Sequence, residues 1–177
     1  MRKPTILVIA GPNGSGKSTF ILWYAKFRGE IVEIVDPDAI ARDLKIDSVT
    51  TRQMQAGRAA LQRIDRLIAS RLSFAIETTL SGKSLADRLR TAANHGFTIE
   101  IILLKISSVT TSLERVSGRV AQGGHDIPYD VQLRRFDRCY TNFHEIYRSV
   151  CHVWTIYDNE SQQPRKLDAG RGGLSSW

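Results

Sequence analysis

The segment at residues 11–19 holds the side chains whose chemistry is clearest, since it reads Gly-Pro-Asn-Gly-Ser-Gly-Lys-Ser-Thr. It fits the phosphate-loop pattern, in which a glycine and four variable residues precede Gly-Lys and a serine or threonine. In such a loop backbone N–H groups surround phosphate oxygens, Lys17 reaches the β- and γ-phosphates, and the Ser18 hydroxyl can ligate magnesium. The sequence therefore predicts a site for ATP and Mg²⁺. The residues expected to bind the nucleotide are Gly11, Pro12, Asn13, Gly14, Ser15, Gly16, Lys17, Ser18 and Thr19.

Acidic side chains follow the second and third predicted strands, where an acceptor for the phosphoryl group would bind. Asp36 and Asp38 come after the second strand, and Glu77 with Thr78 after the third. Because the carboxyl ends of parallel strands meet at one edge of a sheet, we expect these side chains to face the phosphate loop. A carboxylate there can orient or deprotonate an acceptor hydroxyl, and the residues alone leave Asp36 and Asp38 open as that base.

These carboxylates also have structural interpretations. An aspartate followed by proline, as in Asp36-Pro37, is a common start of a helix. Glu77 lies beside Ile76 in a strand that should be buried, so its carboxylate needs a partner such as a metal, a substrate hydroxyl or an arginine. With an arginine, Glu77 would form a structural salt bridge.

Arginines are concentrated between positions 115 and 138, on both sides of a loop that contains Gly123, Gly124 and His125. Two helices joined by this loop could close over ATP as a lid, exclude water and bring arginines to the phosphates. The alternative is that these arginines are solvated charges on helix surfaces. We interpret His125 as a loop anchor rather than a catalytic residue.

Hydrophobic patterns of strand and helix type alternate along the chain. Strands are predicted at 6–9, 31–35, 74–76, 98–106 and 151–157, and helices at 18–27, 52–72, 84–94, 109–121 and 129–150. This alternation predicts an α/β fold with a five-stranded, mainly parallel sheet flanked by helices. We expect one domain over residues 1–160 and a flexible tail over 161–177.

The composition limits the partners and the location of the protein. A net charge of +7 over 177 residues favours anionic ligands but does not choose among them, and the lack of a basic and aromatic platform disfavours nucleic acid. Cys139 and Cys151 lack a metal-binding pattern, so we expect reduced, inert thiols. No apolar stretch approaches about 20 residues and no signal peptide is recognisable, so we expect a cytoplasmic protein without a membrane partner.

Several segments beyond the phosphate loop resemble the zeta toxin-like P-loop kinases, a bacterial group. They are Asp-Pro-Asp-Ala-Ile-Ala at 36–41, Phe-Ala-Ile-Glu-Thr-Thr-Leu-Ser-Gly at 74–82, Gly-Gly-His-Asp-Ile-Pro at 123–128, Arg-Arg-Phe at 134–136 and Asp-Asn at 158–159. The resemblance covers about residues 5–160. It implies the P-loop NTPase fold of the nucleotide-kinase type, with a helical lid at about residues 115–138.

The resemblance also implies roles for individual residues. It places the acceptor base at Asp38, and it gives Lys17 and Ser18 the nucleotide and metal positions. The acceptor-contacting acid falls on Glu77, so the expected acceptor contacts are Asp36, Glu77 and Thr78. The catalytic lid arginines would be Arg119 and Arg134, with Arg135 as the alternative to Arg134.

The activity implied by the resemblance is ATP- and Mg²⁺-dependent transfer of a phosphoryl group to a hydroxyl of a small molecule. Zeta toxins phosphorylate UDP-N-acetylglucosamine and are blocked by an antitoxin, so a nucleotide sugar and an acidic antitoxin are the implied acceptor and partner. Ala39-Ile40-Ala41-Arg42 departs from the bulky residue and arginine of longer toxins, which leaves nucleosides, sugars and other metabolites as alternative acceptors. The alternative functions are an ATP-binding regulatory or nucleic-acid-binding module and a binding-only toxin-like protein.

Overall fold

A β-sheet of six strands forms the centre of the computed structural model, which describes residues 3–26, 29, 31–123, 127–161 and 163–174. In chain order the strands are β1 (Thr5–Ala10), β2 (Ile34–Val35), β3 (Phe74–Thr78), β4 (Thr98–Lys105), β5 (Val153–Asp158) and β6 (Arg165–Arg171). The helices are α1 (Lys17–Lys26), α2 (Pro37–Asp43), α3 (Val49–Ala69), α4 (Ser84–Asn94), α5 (Val109–Ala121) and α6 (Tyr129–Glu145), and a 3₁₀ turn at Tyr147–Val150 follows α6.

The strand order in the sheet is β2-β3-β1-β4-β5-β6. The first five strands are parallel, and β6 pairs with β5 in the antiparallel sense. β1 lies in the interior of the sheet and is buried along its whole length, as its continuous run of apolar residues predicts. Because the parallel strands end at one edge, the loops after β1, β2 and β3 are brought together there. The predicted α/β fold with a mainly parallel sheet is confirmed.

Apolar side chains fill both faces of the sheet. On one face Ile64 of α3, Leu89 of α4 and Phe143 of α6 pack against the strands. On the other face Phe20 and Ile21 of α1 cover β1 and β4. Among the described residues, no helix is long and apolar enough to cross a membrane.

Both cysteines lie in the core and are free. Burial raises the pKa of Cys139 and of Cys151 to about 12, so both thiols stay protonated at neutral pH. This agrees with the interpretation of both residues as inert packing groups.

The end of the chain differs from the sequence prediction. Residues 165–171, expected to belong to a flexible tail, form the edge strand β6, so the predicted five-stranded sheet was one strand short. The Trp154 indole Nε1 donates a hydrogen bond to the Arg171 carbonyl oxygen at 3.1 Å, and Leu174 packs against the main core. Contacts with distant residues therefore order a segment whose own sequence is polar.

The contact between β6 and Trp154 leads to a prediction about stability. A Cβ atom at Gly170 would lie 2.6 Å from the Trp154 ring, and that ring is held by its hydrogen bond to Arg171 and by the Arg148 guanidinium 4.3 Å from its centre. Gly170→Ala is therefore expected to lower the free energy of unfolding by about 1–3 kcal/mol. Urea unfolding followed by tryptophan fluorescence measures this loss.

Gly118→Ala is the matched control, because a Cβ atom at Gly118 would meet no atom within 4 Å. Gly118 lies inside α5, where alanine is favoured over glycine by about 1 kcal/mol. The control should be as stable as the wild type or more stable. Equal stability of Gly170→Ala and the wild type would show that β6 does not pack on Trp154.

Candidate active site

The phosphate loop joins the end of β1 to the start of α1 and is fixed by two neighbouring side chains. The Asn159 Nδ2 group donates to the Ser15 carbonyl oxygen at 2.6 Å, and the Ser112 hydroxyl donates to the Asn13 carbonyl oxygen at 2.6 Å. At Gly16 φ is +81°, and a Cβ atom there would lie 2.5 Å from Asn159 Nδ2. Only glycine fits this conformation and this close approach.

The loop presents groups that suit an anion. The Lys17 side chain is buried, and its ammonium donates to the Pro12 carbonyl oxygen at 2.9 Å. Among the described residues, the buried Asn13 Oδ1 and Ser15 Oγ atoms have no hydrogen-bond partner. Since buried polar groups without partners are costly and the N-terminus of α1 carries partial positive charge, the loop is suited to phosphate.

Glu77 lies near the carboxyl end of β3, beside Ser18. Its side chain is 7% exposed, and the Ser18 hydroxyl donates to Glu77 Oε1 at 3.0 Å. Burial raises the pKa of Glu77, and the Lys17 charge acts in the opposite direction. The carboxylates of Asp36 and Asp38 raise this pKa further. All three acids are therefore close enough to interact.

The oxygen atoms at this position fit the preference of Mg²⁺. Magnesium in phosphate-binding sites is held by one or two carboxylates and hydroxyls together with substrate phosphates and waters. Ser18 Oγ and Glu77 Oε1 supply such oxygens beside the loop. Within the described part of the chain there is no cluster of three or more His, Cys, Asp or Glu residues that could hold a metal without a substrate.

Asp36 and Asp38 have different positions at the start of α2. Asp36 is the N-cap, and its Oδ1 accepts a hydrogen bond from the Asp38 backbone N–H at 2.8 Å. The Arg42 guanidinium is 3.9 Å from Asp36 Oδ2. The Asp38 carboxylate accepts no hydrogen bond from any residue that the structure describes. Asp38 is half-buried, and both of its carboxylate oxygens are available to a ligand.

A cavity of about 180 Å³, which we call the carboxylate pocket, brings the predicted acceptor residues together. Lys17, Asp36, Asp38, Glu77 and Thr78 all line it. It also contains polar residues that were not predicted from the sequence as acceptor contacts. They are Gln53, Thr79, Ser81 and Arg135.

The three arginines considered from the sequence have different surroundings. Arg135 lines the carboxylate pocket, where its Nη2 donates to Gln53 Oε1 at 3.1 Å. Burial lowers the pKa of Arg135, while the charge of Asp38 raises it. Arg119 and Arg134 are exposed and do not line this pocket. Of the three arginines, Arg135 is the one that lines the same pocket as Asp38.

The predicted lid corresponds to parts of α5 and α6, and its central loop at 124–126, with His125, lies outside the described residues. Arg115 of α5 donates to the carbonyl oxygens of Gly14 and Asn159, both at 3.2 Å, and to that of Glu160 at 2.6 Å. Arg115 therefore joins α5 to the phosphate loop and to the loop after β5.

A second cavity, of about 620 Å³, lies on the other side of the phosphate loop and is called the aromatic cleft below. Gly16, Phe20, Trp23 and Arg115 line it together with residues 159–161. Phe20 and Trp23 contact each other edge to face, with ring centres 5.7 Å apart. Aromatic rings and a guanidinium are suited to stacking on a nucleotide base.

Another cavity, of about 730 Å³, is far from this chemistry. Lys3, Thr98, His152 and Val153 line it, and they lie at the amino-terminal edge of the sheet. The phosphate loop and the two cavities beside it lie at the carboxyl edge, where ligands bind in open α/β sheets. The candidate active site is therefore at the carboxyl edge.

The raised pKa of Glu77 leads to a prediction about stability and pH. Burial disfavours the charged carboxylate, so the folded protein binds the Glu77 proton more tightly than the unfolded chain does. This stabilises the folded protein at acid pH, and the stabilisation is lost as the pH rises through the raised pKa of Glu77. Glu77→Gln can still accept the Ser18 hydrogen bond without a charge. We expect its Tm without ligand to exceed that of the wild type by a few degrees at pH 7–8 and to match it near pH 4.

Thermal unfolding between pH 4 and pH 8 measures this difference. Glu114→Gln, which removes an exposed carboxylate of α5, is the matched control and should show no such trend. A Glu77→Gln variant that becomes less stable than the wild type as the pH rises would contradict the prediction. It would mean that the Lys17 charge outweighs burial.

Comparison with known proteins gives both a family and a fold. A family model described as an AAA domain matches residues 6–146. An uncharacterized protein of Haemophilus influenzae is 35% identical over 127 residues, which are 71% of this chain and 88% of that protein. The family match includes the phosphate loop, the acids at the ends of β2 and β3, and the helices α5 and α6.

Three solved structures share the fold at lower identity. The AvrRxo1-ORF1:-ORF2 structure with ATP has a TM-score of 0.72 and 16% identity, over 97% of this chain and 59% of that chain. The PezAT chromosomal toxin-antitoxin system of Streptococcus pneumoniae has a TM-score of 0.63 and 17% identity, over 96% of this chain and 72% of the other. A gluconokinase from Sinorhizobium meliloti 1021 has a TM-score of 0.57 and 22% identity, over 93% and 86%. This chain therefore has a P-loop kinase-like fold and spans less than two thirds of the ATP-bound protein.

Proposed function

The chain belongs to the AAA domain family, and on that premise we propose that it is an ATP- and Mg²⁺-dependent phosphotransferase acting on a hydroxyl of a small molecule. One observation carries the proposal: Lys17 of the phosphate loop and the accessible carboxylate of Asp38 line the same pocket. A phosphate-binding cation and an accessible base in one pocket are the parts that phosphoryl transfer to an alcohol requires.

The two cavities beside the phosphate loop support one orientation of ATP. Gly16 lines the aromatic cleft, and the next residue, Lys17, lines the carboxylate pocket. We place the adenine base in the aromatic cleft against Trp23 and Arg115. The phosphates then follow the loop, and the γ-phosphate reaches the mouth of the carboxylate pocket.

In the proposed reaction the acceptor hydroxyl lies in the carboxylate pocket and gives its proton to Asp38. Its oxygen forms a bond to the γ-phosphorus, the bond from that phosphorus to the bridging oxygen breaks, and ADP leaves. Lys17 and Arg135 neutralise the charge on the migrating group. Asp36 keeps α2 in place by capping it, and Thr78 contributes to the wall of the pocket.

Ser18 Oγ and the Glu77 carboxylate would hold Mg²⁺ beside the phosphates, and the bound ion would reduce the charge repulsion of the phosphates. Arg119 and Arg134 are proposed to contribute only when α5 and α6 close over ATP, since both are exposed in this structure. Closure would also exclude water and prevent hydrolysis of ATP.

The similarity in fold to a toxin-antitoxin system supports an antitoxin as a partner of this chain. The PezAT structure is of a toxin-antitoxin system. The zeta toxin-like kinases that the sequence resembles phosphorylate UDP-N-acetylglucosamine. We therefore name UDP-N-acetylglucosamine as the first acceptor to test. An acidic partner that covers the phosphate loop would suit a chain with a net charge of +7.

The test is transfer of label from γ-labelled ATP to UDP-N-acetylglucosamine and to a panel of nucleosides, sugars and simple alcohols. A labelled product that requires Mg²⁺ and is absent with Lys17→Ala would establish the phosphotransferase and its acceptor class. The control is the same reaction with excess EDTA. ATP binding by a folded protein without transfer to any acceptor would instead favour a regulatory, binding-only module.

A further inference from the structure

An additional cavity, of about 200 Å³, adjoins the carboxylate pocket and is called the apolar hollow. It lies between α3, the end of β3 and the start of α4, and Pro37, Gly57, Glu77 and Thr78 line both it and the carboxylate pocket. The side chains that line only the hollow are mainly apolar. They include Ala60, Leu61, Ile64, Ile76, Leu85 and Tyr147.

Gly57 is the residue of α3 that borders both cavities. It lies in the interior of a helix of 21 residues, where glycine is about 1 kcal/mol less favourable than alanine by intrinsic propensity. A Cβ atom at this position would meet no atom within 4 Å, so packing within the described protein does not require glycine. The missing side chain leaves space between the two cavities that a ligand can fill.

The two cavities differ in chemistry. Three carboxylates and two cations, Lys17 and Arg135, line the carboxylate pocket. In the apolar hollow Glu77 is the one charged residue among the described lining residues. The Tyr147 hydroxyl is already engaged, because it donates to the Gly82 carbonyl oxygen at 2.6 Å. A molecule that occupies both cavities would therefore have a polar, hydroxyl-bearing end and an apolar end.

We propose that the natural acceptor is an alcohol with a compact apolar group next to its reacting hydroxyl, and that Gly57 determines this specificity. The proposal rests on the proposed phosphotransferase activity, because the hydroxyl end occupies the pocket of Asp38 and Lys17. An uncharged aryl or alkyl alcohol would place its hydroxyl near Asp38 and bury its apolar group in the hollow.

The experiment compares pairs of acceptors that share a hydroxyl-bearing part and differ in the apolar group. Suitable pairs are methyl and phenyl β-glucoside, and 1,2-propanediol and 1-phenyl-1,2-ethanediol. In the pair that is phosphorylated more efficiently, we expect kcat/KM to be at least about tenfold higher for the phenyl member than for the methyl member. Gly57→Leu should reduce that advantage to less than about threefold, and the KM for ATP should not change.

Gly118→Leu is the matched control, because Gly118 also lies inside a helix with no atom within 4 Å of its Cβ position and does not line either cavity. It should retain the wild-type preference for the phenyl acceptor. Gly57→Ala provides a smaller step and should give an intermediate preference without a fall in Tm. These variants separate the filling of the hollow from a change in the helix.

Binding measured without ATP separates this proposal from the proposed function. The shift of the wild-type Tm by 1-phenyl-1,2-ethanediol should exceed that by 1,2-propanediol, and Gly57→Leu should remove the difference. Transfer with equal efficiency to both members of each pair, or to UDP-N-acetylglucosamine alone, would overturn the proposed specificity for an apolar group. It would still support the proposed phosphotransferase activity. Preferential binding of the phenyl diol without any transfer would overturn the proposed phosphotransferase activity. It would still support a ligand site made of the carboxylate pocket and the apolar hollow. No preference in either assay would overturn the inference.

Discussion

Replacing Lys17 with alanine is expected to reduce phosphate transfer by about 100- to 1000-fold or more, because a preorganised cation that faces the migrating phosphoryl group is lost. Lys17 is 6% exposed and lies at the start of α1, where the helix N-terminus adds to its positive charge. In this buried site a water molecule cannot supply the positive charge of the lost Lys17 ammonium. Loss of this cation should also raise the pKa of Glu77, since the Lys17 charge lowers that pKa in the wild type.

Transfer assays at saturating ATP measure the loss of activity, and calorimetry measures the binding of ATP to the same variant. Lys17→Met retains most of the aliphatic chain and controls for lost packing, and Lys105→Ala removes a lysine at the exposed end of β4. We expect Lys17→Met to be as inactive as Lys17→Ala and Lys105→Ala to be active. A folded Lys17→Ala variant with transfer within tenfold of the wild type would contradict the proposed role of the loop.

Much of the fold could be predicted because the controlling signals are local in the sequence. The apolar run at 6–9 identifies β1, and α5 begins at its predicted residue because Ser108 caps it by accepting a hydrogen bond from the Thr111 backbone N–H. The predicted helix at 129–150 instead ends at Glu145 and continues as a 3₁₀ turn. The predicted strand at 31–35 is reduced to Ile34–Val35.

The elements absent from the sequence prediction have weak hydrophobic patterns, and one of them depends on tertiary contacts. β6 has mostly polar and exposed residues, so no hydrophobic alternation marks it, and its position follows from pairing with β5 and from the Trp154 hydrogen bond. The helix α2 is only seven residues long, and its apolar pattern is too short to recognise. Its local signal is Asp36-Pro37, a common start of a helix.

The candidate site likewise contains residues that local sequence signals predict and residues whose positions depend on packing. Residues placed by strand ends, such as Asp38 and Glu77, could be predicted because the carboxyl ends of parallel strands share one edge. Arg134 and Arg135 could not be distinguished, since neighbouring helical residues point about 100° apart and the rotation of α6 is set by packing. Gly57 carried no signal, because a glycine inside a helix becomes informative only when the space beside it is known.

The distinct environments of Asp36 and Asp38 make the identity of the base testable. Asp38→Asn is expected to reduce phosphate transfer by about 100- to 10,000-fold, because the amide is nearly isosteric with the carboxylate but cannot accept the acceptor's proton. The affinity for ATP should stay within a few-fold of the wild type. The Asp38 backbone N–H, which Asp36 caps, is unchanged by this substitution.

Asp36→Asn is the matched comparison, since asparagine is as good an N-cap as aspartate. It should retain most of the transfer activity, because the role of Asp36 in α2 requires an acceptor oxygen rather than a proton acceptor. Steady-state transfer and ATP binding should be measured for both variants at the same pH. Loss of ATP binding in Asp38→Asn would assign Asp38 to the metal or to the fold. The reverse pattern, with Asp36→Asn inactive and Asp38→Asn active, would make Asp36 the base and require the capping bond to break during the reaction.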